Sequence, residues 1–234
     1  GQTPVGPTRA IVYDYIPAEP LELAQVRADS PLSDSIGRSI AAIHSLPTSV
    51  ASDAGLPVDS SADAVRAAKA IKDRAAATGK VPNELLARWS TALEDSALWQ
   101  FQPTVIHGAL APEAFLRSGD NIVGVIGWSG LRVGDPAIDL FWLSSAPSEA
   151  VATSVFGAYN IARTSPVDRQ LRKRSRLYAE LEIAKWLLHG MGLRDDEIVA
   201  DAVTMLTGLT LSVEADLGEH LGDRRLVRRR RGDR

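Results

Sequence analysis

The segment His107–Ala114, with the sequence HGALAPEA, is followed by Val125–Trp128, VIGW, and by Gly134–Leu140, GDPAIDL, and these three segments decide the fold. The β-branched residues that precede the first segment predict a short strand over residues 103–106. Turn-forming residues at 118–121 predict a β-hairpin between the first segment and the second. One loop is therefore expected to lie among a few short strands.

In their order and spacing, these segments resemble the active-site motif of the aminoglycoside phosphotransferase and choline kinase-like family. That motif runs His-Gly-Asp-x-x-x-x-Asn, then Ile-Asp-Trp, then Gly-Asp-Pro-x-x-Asp-Leu. Here Ala109 stands in place of the first aspartate, Ala114 in place of the asparagine, and Gly127 in place of the second aspartate. The resemblance implies the large, helical lobe of a protein-kinase-like fold.

The three substituted positions are those that carry the chemistry in the family. The resemblance implies that a catalytic base belongs at Ala109 and that metal ligands belong at Ala114 and Gly127. Alanine and glycine have no side-chain oxygen, and loss of a general base alone costs about 10²–10⁴ in rate. Active members use ATP and Mg²⁺, an ion that prefers oxygen ligands. No cofactor is therefore predicted for this chain, unless Glu113 or Asp120 replaces a missing group.

The residues that shape the motif are retained. By the same resemblance, His107 and Gly108 form the loop scaffold, and Asp135 and Asp139 form an acidic pair. At least one of this pair is expected to brace the loop by accepting backbone N–H bonds, which is a strong structural device. Retention of the scaffold without the chemical groups indicates a fold that is kept for its shape.

An apolar, β-rich segment over residues 10–17, AIVYDYIP, predicts a short buried strand that runs into a turn. It resembles the family's hinge, which implies that the backbone of Tyr13, Asp14, Tyr15 and Ile16 would face an adenine ring. Family members carry a small β-rich lobe before this point, whereas only about nine residues precede it here. The N-terminal lobe is therefore expected to be absent or nearly so, either through loss or because the sequence is a fragment.

Most of the remaining chain is predicted to be helical. Apolar residues at Ile36, Ile40, Ile43 and Leu46 recur at helical spacing and indicate a helix that Pro47 closes. Further helices are expected over residues 60–77, from 82 onward, and at about 136–145, 148–163, 168–189 and 195–217. Because this is not an alternating βαβ pattern, the predicted class is α+β, mainly α, with one kinase-like lobe over residues 1–222.

Composition places the chain among ordinary globular proteins and restricts its chemistry. It has 234 residues, of which 45% are hydrophobic, and no cysteine, which excludes a disulfide framework or a thiolate site. No apolar run reaches the roughly 18 residues that span a membrane. Residues 1–4 lack the pattern of a signal peptide. A cytoplasmic location is therefore expected.

Charge is unevenly distributed along the chain. Residues 223–234 contain seven arginines and two aspartates, so the remaining chain carries −8 within a total of −3. An acidic body suits a cationic ligand. The basic tail could bind phosphate backbones, but it lacks interleaved aromatic residues and is predicted to be disordered. Its arginines before Gly232 are Arg224, Arg225, Arg228, Arg229, Arg230 and Arg231.

These observations favour a catalytically degenerate phosphotransferase homologue, a pseudokinase-like binding or regulatory module whose partner is a small cationic molecule or another protein. Two alternatives stay open. One is an ATP-dependent small-molecule O-phosphotransferase with displaced catalytic groups, or a fragment of such an enzyme. The other is a nucleic-acid-binding protein, for which binding should depend steeply on salt and disappear on truncation at Gly222.

Overall fold

The computed structural model describes residues 2–5, 8–11, 14–166 and 168–211, and most of these residues are helical. The α-helices are α1 (Pro31–His44), α2 (Ser49–Ser52), α3 (Ser61–Ala76), α4 (Asn83–Glu94), α5 (Glu149–Ala162), α6 (Leu171–Leu193) and α7 (residues 196–211). Short 3-10 helices cover Leu23–Gln25, Pro112–Ala114, Trp128–Gly130 and Pro136–Ser145. The predicted class, mainly helical with few strands, is confirmed.

Within the described residues the strands form three small antiparallel sheets. They are β1 (Gln2–Val5), β2 (Thr8–Ile11), β3 (Glu19–Pro20), β4 (Thr104–Ile106), β5 (Phe115–Ser118), β6 (Asn121–Val125) and β7 (Arg132–Gly134). The sheets are β1–β2, β3–β5–β6 and β4–β7. The hairpin predicted around residues 118–121 is confirmed as β5 and β6, and the strand predicted before the motif loop is β4.

The strand predicted over residues 10–16 is found only at Ala10 and Ile11, the end of β2, and residues 12 and 13 lie outside the described residues. Strand β2 ends at Ile11, and the chain from Asp14 to Ala18 has no regular structure. The side chain of Tyr15 is 86% exposed. Pro17 has no backbone N–H to offer a neighbouring strand, so pairing resumes only with β3. A run of apolar, β-rich residues therefore predicted a longer strand than the structure contains.

Helix α1 begins where a side chain satisfies its free backbone groups. Ser30 accepts a hydrogen bond from the backbone N–H of Ser33, as an N-cap serine does. Gly37 lets the helix approach α5, since a Cβ at this position would lie 2.6 Å from the backbone oxygen of Val155. The helix ends at His44, so Leu46, which was predicted on its apolar face, is 42% exposed instead.

The helix predicted at residues 136–145 has the expected bounds, but it is a 3-10 helix. The backbone N–H of Ile138 bonds to the oxygen of Asp135, three residues back, as this helix type requires. The indole N–H of Trp142 donates to the backbone oxygen of Asp139 at 2.9 Å. That oxygen is one that an α-helix would need for its own ladder, which gives a reason for the tighter winding.

One large apolar core joins the helices to the sheet β3–β5–β6. Its fully buried members include Trp89, Phe115, Leu140 and Leu181, and the motif loop enters it through Leu110. No helix among the described residues is both long enough and apolar enough to cross a membrane. The predicted end of the last helix at residue 217 and the arginine-rich tail lie outside the described residues.

Candidate functional site

The motif loop starts directly after the buried strand β4, whose pairing with β7 fixes its direction. Gly108 has a φ of +78°, in the left-handed region that favours glycine. A Cβ on Gly108 would also lie 2.1 Å from the backbone oxygen of Gly130. The loop therefore requires glycine at this position for two independent reasons.

The carboxylate of Asp139 holds the motif loop through hydrogen bonds to its backbone. Its Oδ2 accepts a hydrogen bond from the backbone N–H of His107 at 2.6 Å, and its Oδ1 accepts one from the N–H of Gly108 at 2.8 Å. The Nε2 of His44 lies 3.2 Å from Oδ2, and its Nδ1 lies 2.9 Å from the hydroxyl of Tyr159. Because Asp139 is fully buried, its carboxylate is committed to holding the backbone in place.

The three positions that lack chemical groups lie around one turn. The backbone N–H of Ile126 donates to the oxygen of Ala114 at 2.9 Å, and the Nε2 of His107 lies 2.9 Å from the oxygen of Ile126. Gly127 follows at once, and a Cβ on it would lie 3.9 Å from the Cε1 of His107. These contacts bring Ala114 and Gly127 to the loop that begins at His107, and Ala109 follows His107 by two residues in that loop.

Asp135 contacts side chains of α6, whereas Asp139 contacts the backbone of the motif loop. It forms an ion pair with Arg174, with nitrogen–oxygen distances of 2.8 and 3.0 Å, and it accepts the hydroxyl of Tyr178 at 3.1 Å. Burial, with the nearby Asp135 carboxylate as a further cause, holds the pKa of Tyr178 well above its ordinary value. Asp135 therefore ties the start of the 3-10 helix to α6.

A known protein family matches most of this chain. The phosphotransferase enzyme family matches residues 3–182. The chain belongs to this family.

The fold is that of solved phosphotransferases with the kinase-like architecture. Macrolide 2'-phosphotransferase type I is 24% identical, with a TM-score of 0.70, over 83% of this chain and 68% of that chain. The apoenzyme of macrolide 2'-phosphotransferase MphH from Brachybacterium faecium is 25% identical, with a TM-score of 0.69 and the same coverage. The GDP complex of wild-type aminoglycoside 2'-phosphotransferase-IIIa is 16% identical, with a TM-score of 0.61, over 79% and 67% of the two chains. None of the curated proteins matches the chain.

The positions that would serve a magnesium–nucleotide complex do not fit one in this phosphotransferase homologue. Mg²⁺ takes hard oxygen ligands in a near-octahedral arrangement, usually with one or two carboxylates. Ala109, Ala114 and Gly127 supply no side-chain oxygen. In the part of the chain that the structure describes, no group of three or more His, Asp or Glu residues could hold a metal ion.

The two carboxylates considered as replacements lie on other parts of the surface. Glu113 is exposed within a short 3-10 helix and lines a large cavity on the side of Trp186. Asp120 is exposed in the turn that joins β5 to β6. Neither lines the cavity that Ala109 borders.

That cavity, the acidic cavity, has a volume of about 400 Å³ and lies between Ala109, α3 and α6. Asp59, Asp63 and Glu182 line it, and sequence reasoning did not single them out as site residues. Each already has a partner: Asp59 pairs with Arg132 at 3.5 Å, Asp63 caps α3, and Glu182 pairs with Lys185, and both Arg132 and Lys185 also line the cavity. The only sequence signal was the capping pattern at Ser60, which concerns the helix and not the cavity.

On the other side of the loop lies the apolar cavity, with a volume of about 740 Å³. Apolar side chains from the 3-10 helix, α6 and α7 form most of its wall: Phe141, Trp142, Ile183, Trp186, Met205 and Leu209. Glu113, Glu182 and Arg176 add charged groups, whereas Glu180 is occupied by Arg88 at 2.6 Å and by the indole N–H of Trp89 at 2.8 Å. Ala111 lines both cavities, so the motif loop separates them.

The hinge-like residues are only partly placed. Tyr13 lies outside the described residues. Asp14 and Tyr15 are exposed, and Ile16 packs on β6, where a Cβ on Gly124 would lie 2.8 Å from its Cδ1. The structure therefore brings Ile16, but not Asp14 or Tyr15, into packed contact with the rest of the chain.

Proposed function

We propose that this chain is a phosphotransferase homologue that binds a large, mainly apolar small molecule with a basic amino group, of the macrolide class, without transferring phosphate to it. The observation that carries the proposal is the apolar cavity beside the motif loop. Its volume of about 740 Å³ lies within the range of about 300–1,000 Å³ that accommodates drug-sized ligands.

The character of the wall supports this class of ligand. Two indoles, Trp142 and Trp186, with Met205 from α7, supply broad apolar surface, and burial of such surface drives binding. The carboxylate of Glu113 can attract a cationic amine, whereas that of Glu182 is paired with Lys185. Two of the solved relatives are macrolide 2'-phosphotransferases by name.

The residues around the loop support the proposed absence of transfer. A phosphoryl acceptor needs a carboxylate to orient its hydroxyl, and the nucleotide needs metal ligands. Ala109, Ala114 and Gly127 supply neither, and Asp139 is engaged by two backbone N–H groups. A protein that binds this ligand without reacting with it could sequester the ligand or serve as a sensor of its concentration.

Calorimetric titration with erythromycin, and with kanamycin as a cationic but polar comparison, tests the binding part. We expect heat of binding for erythromycin and none for kanamycin. Met205→Lys, which places a cation in the wall, should weaken erythromycin binding by about 10-fold, or about 1.4 kcal/mol. Met191→Lys is the matched control, because Met191 is similarly exposed on α6 and does not line the cavity. Equal effects of the two changes would reject the assigned site.

A second experiment tests the absence of transfer. Incubation of the chain with erythromycin, Mg²⁺ and labelled ATP or GTP should give no labelled product, and Mg²⁺-ATP should give no heat of binding. The triple variant Ala109→Asp, Ala114→Asn and Gly127→Asp should gain magnesium binding. Gly127 has space for a side chain, and aspartate tolerates its left-handed backbone better than most residues do. Turnover by the unchanged chain would instead support the displaced-group alternative.

A further inference from the structure

A cavity of about 450 Å³ between the first turns of α5 and α6 has four basic side chains in its wall, and we name it the basic cavity. None of the motif-loop residues lines it. Its cations are Arg169, Arg172, Lys173 and Arg176, all of them exposed. The rest of its wall includes Glu149 and Phe156 from α5 and Ser175 from α6.

The cations of the basic cavity are unfavourably placed when no ligand is present. They lie in or just before the first turns of α6, at the positive end of the helix dipole, where cations are disfavoured. Their spacing of three and four residues puts like charges side by side on one helix face. Among the described residues only Arg172 has a carboxylate partner, Glu149 at 2.7 Å; Arg169, Lys173 and Arg176 have none.

The wall of the cavity also contains a hydroxyl group, that of Ser175, a residue that is 2% exposed. A serine hydroxyl can both donate and accept hydrogen bonds. The hydroxyl of Ser175 can therefore donate to an acceptor atom of a ligand in the cavity.

One of the guanidinium groups is already held in position. Arg172 donates to Glu149 at 2.7 Å and to the hydroxyl of Thr153 at 3.1 Å, and it lies 5.2 Å from the centre of the Phe156 ring. A guanidinium fixed in this way loses little freedom when it binds an oxyanion. The cavity thus combines a fixed arginine, three cations without partners and a buried hydroxyl donor.

We propose that the basic cavity binds a small anion that carries phosphate groups and at least two negative charges, of the diphosphate or phosphate-ester class. A bound dianion would offset the repulsion between the cations and interact favourably with the start of α6. A small ligand is favoured over nucleic acid because the cations surround a concavity instead of forming a stripe. The aromatic ring there, Phe156, is buried and offers no face for base stacking.

Titration of the full chain with inorganic pyrophosphate tests the proposal. We expect a calorimetric binding signal and a rise in Tm. The variant Arg169→Gln, Lys173→Gln, Arg176→Gln should lose both, although it retains the seven arginines of residues 223–234. Without ligand, this variant should melt at a higher temperature than the unchanged chain, because the repulsion is removed.

The matched control removes the same charge elsewhere: Lys69→Gln, Arg74→Gln and Lys80→Gln change three exposed cations that do not line the basic cavity. This control should bind pyrophosphate as the unchanged chain does. Ser175→Ala should weaken binding by about 2- to 10-fold without any change of charge, as loss of one neutral hydrogen bond implies.

Three results would overturn the assignment. One is equal stabilisation by sodium chloride at the same ionic strength, which would mean simple screening. Another is undiminished pyrophosphate binding by the cavity variant, which would place the anion elsewhere. The third is binding of a DNA oligonucleotide at these cations that pyrophosphate does not compete with. The walls of the basic cavity and the apolar cavity share Ser144 and Arg176, but the two proposed ligands differ in charge and are titrated separately, so the two proposals can fail separately.

Discussion

The carboxylate of Asp135 and the guanidinium of Arg174 form a two-point ion pair in which both side chains are 0% exposed. Arg174 also donates to Asp168 at 2.5 Å and to the backbone oxygen of Leu98 at 2.9 Å. Although burial opposes the charged form, the hydrogen bond to Asp135 is the main cause that raises the pKa of Arg174 above its ordinary value. The pair connects the Gly-Asp-Pro segment to α6 and so fixes the wall of both cavities beside the loop.

Arg174→Met should therefore lower the free energy of unfolding by about 3–5 kcal/mol, because it leaves the carboxylate of Asp135 buried and unpaired. Urea denaturation at neutral pH measures the change. Arg172→Met is the matched control on the same helix, since its pair with Glu149 is exposed and should contribute about 1 kcal/mol or less. Similar losses in the two variants would contradict the importance assigned to the buried pair.

The loop brace predicts a local effect of Asp139→Asn. The carboxamide can accept only one of the two backbone N–H bonds and turns an N–H group toward the other, so we expect a loss of about 1.5–3 kcal/mol. Amide hydrogen exchange at His107 and Gly108 should accelerate more than exchange in the core of α6. If all amides accelerate by the same factor, Asp139 stabilises the fold as a whole and does not hold the loop specifically.

The two motif glycines with positive φ are expected to respond differently to alanine. Gly127→Ala should cost about 1–2 kcal/mol, the usual penalty of the left-handed conformation, because a Cβ there has room. Gly108→Ala should cost about 3 kcal/mol or more, since its Cβ would also meet the backbone of Gly130. Gly157→Ala, at an open position within α5, serves as the control and should add up to about 1 kcal/mol. The order of the three unfolding free energies checks the prediction.

The N-cap of α3 predicts a pH-dependent stability. The hydroxyl of Ser60 is the main cause that lowers the pKa of Asp63 below its ordinary value. A carboxyl group whose pKa is lower in the folded state stabilises the fold above its unfolded-state pKa, and this contribution is lost as the pH falls through the folded-state pKa. Ser60→Ala should therefore lower the free energy of unfolding at pH 7, and lower it by less near pH 3.

Thermal unfolding of the unchanged chain and of Ser60→Ala between pH 7 and pH 3 measures this difference. The separation between the two curves should shrink only in the acid range, below about pH 4. A separation that is the same at every pH would mean that the serine acts through the backbone alone.

Much of the fold was predictable because it depends on local signals. The capping box at Ser60 and the turn residues at 118–121 act over a few residues, and the structure has a helix and a hairpin at these places. The strand predicted at 10–16 was too long because apolar β-rich residues also occur in an irregular segment, and only a pairing partner makes a strand. The type of the helix at 136–145 depended on a tertiary detail, the indole of Trp142 on the carbonyl of Asp139.

The candidate site was predictable only along the motif. Residues such as Asp59, Glu182 and Met205 are distant in sequence from the loop, and no spacing rule connects them to it. They line the two cavities because α3, α6 and α7 pack around the loop. The carboxylates Glu113 and Asp120 show the converse, since closeness in sequence to Ala114 did not bring them into the cavity beside Ala109.

The sequence by itself determined the family, the helical class and the three positions without oxygen donors, because these are matters of residue identity and spacing. Only the tertiary structure decided which of the two retained aspartates holds the loop and which holds α6. It also decided that the loop separates an acidic cavity from an apolar one and that the cations of α6 surround a cavity of their own. The physical reason is that side-chain partners and cavity walls come from segments far apart in the chain, and packing alone brings these segments together.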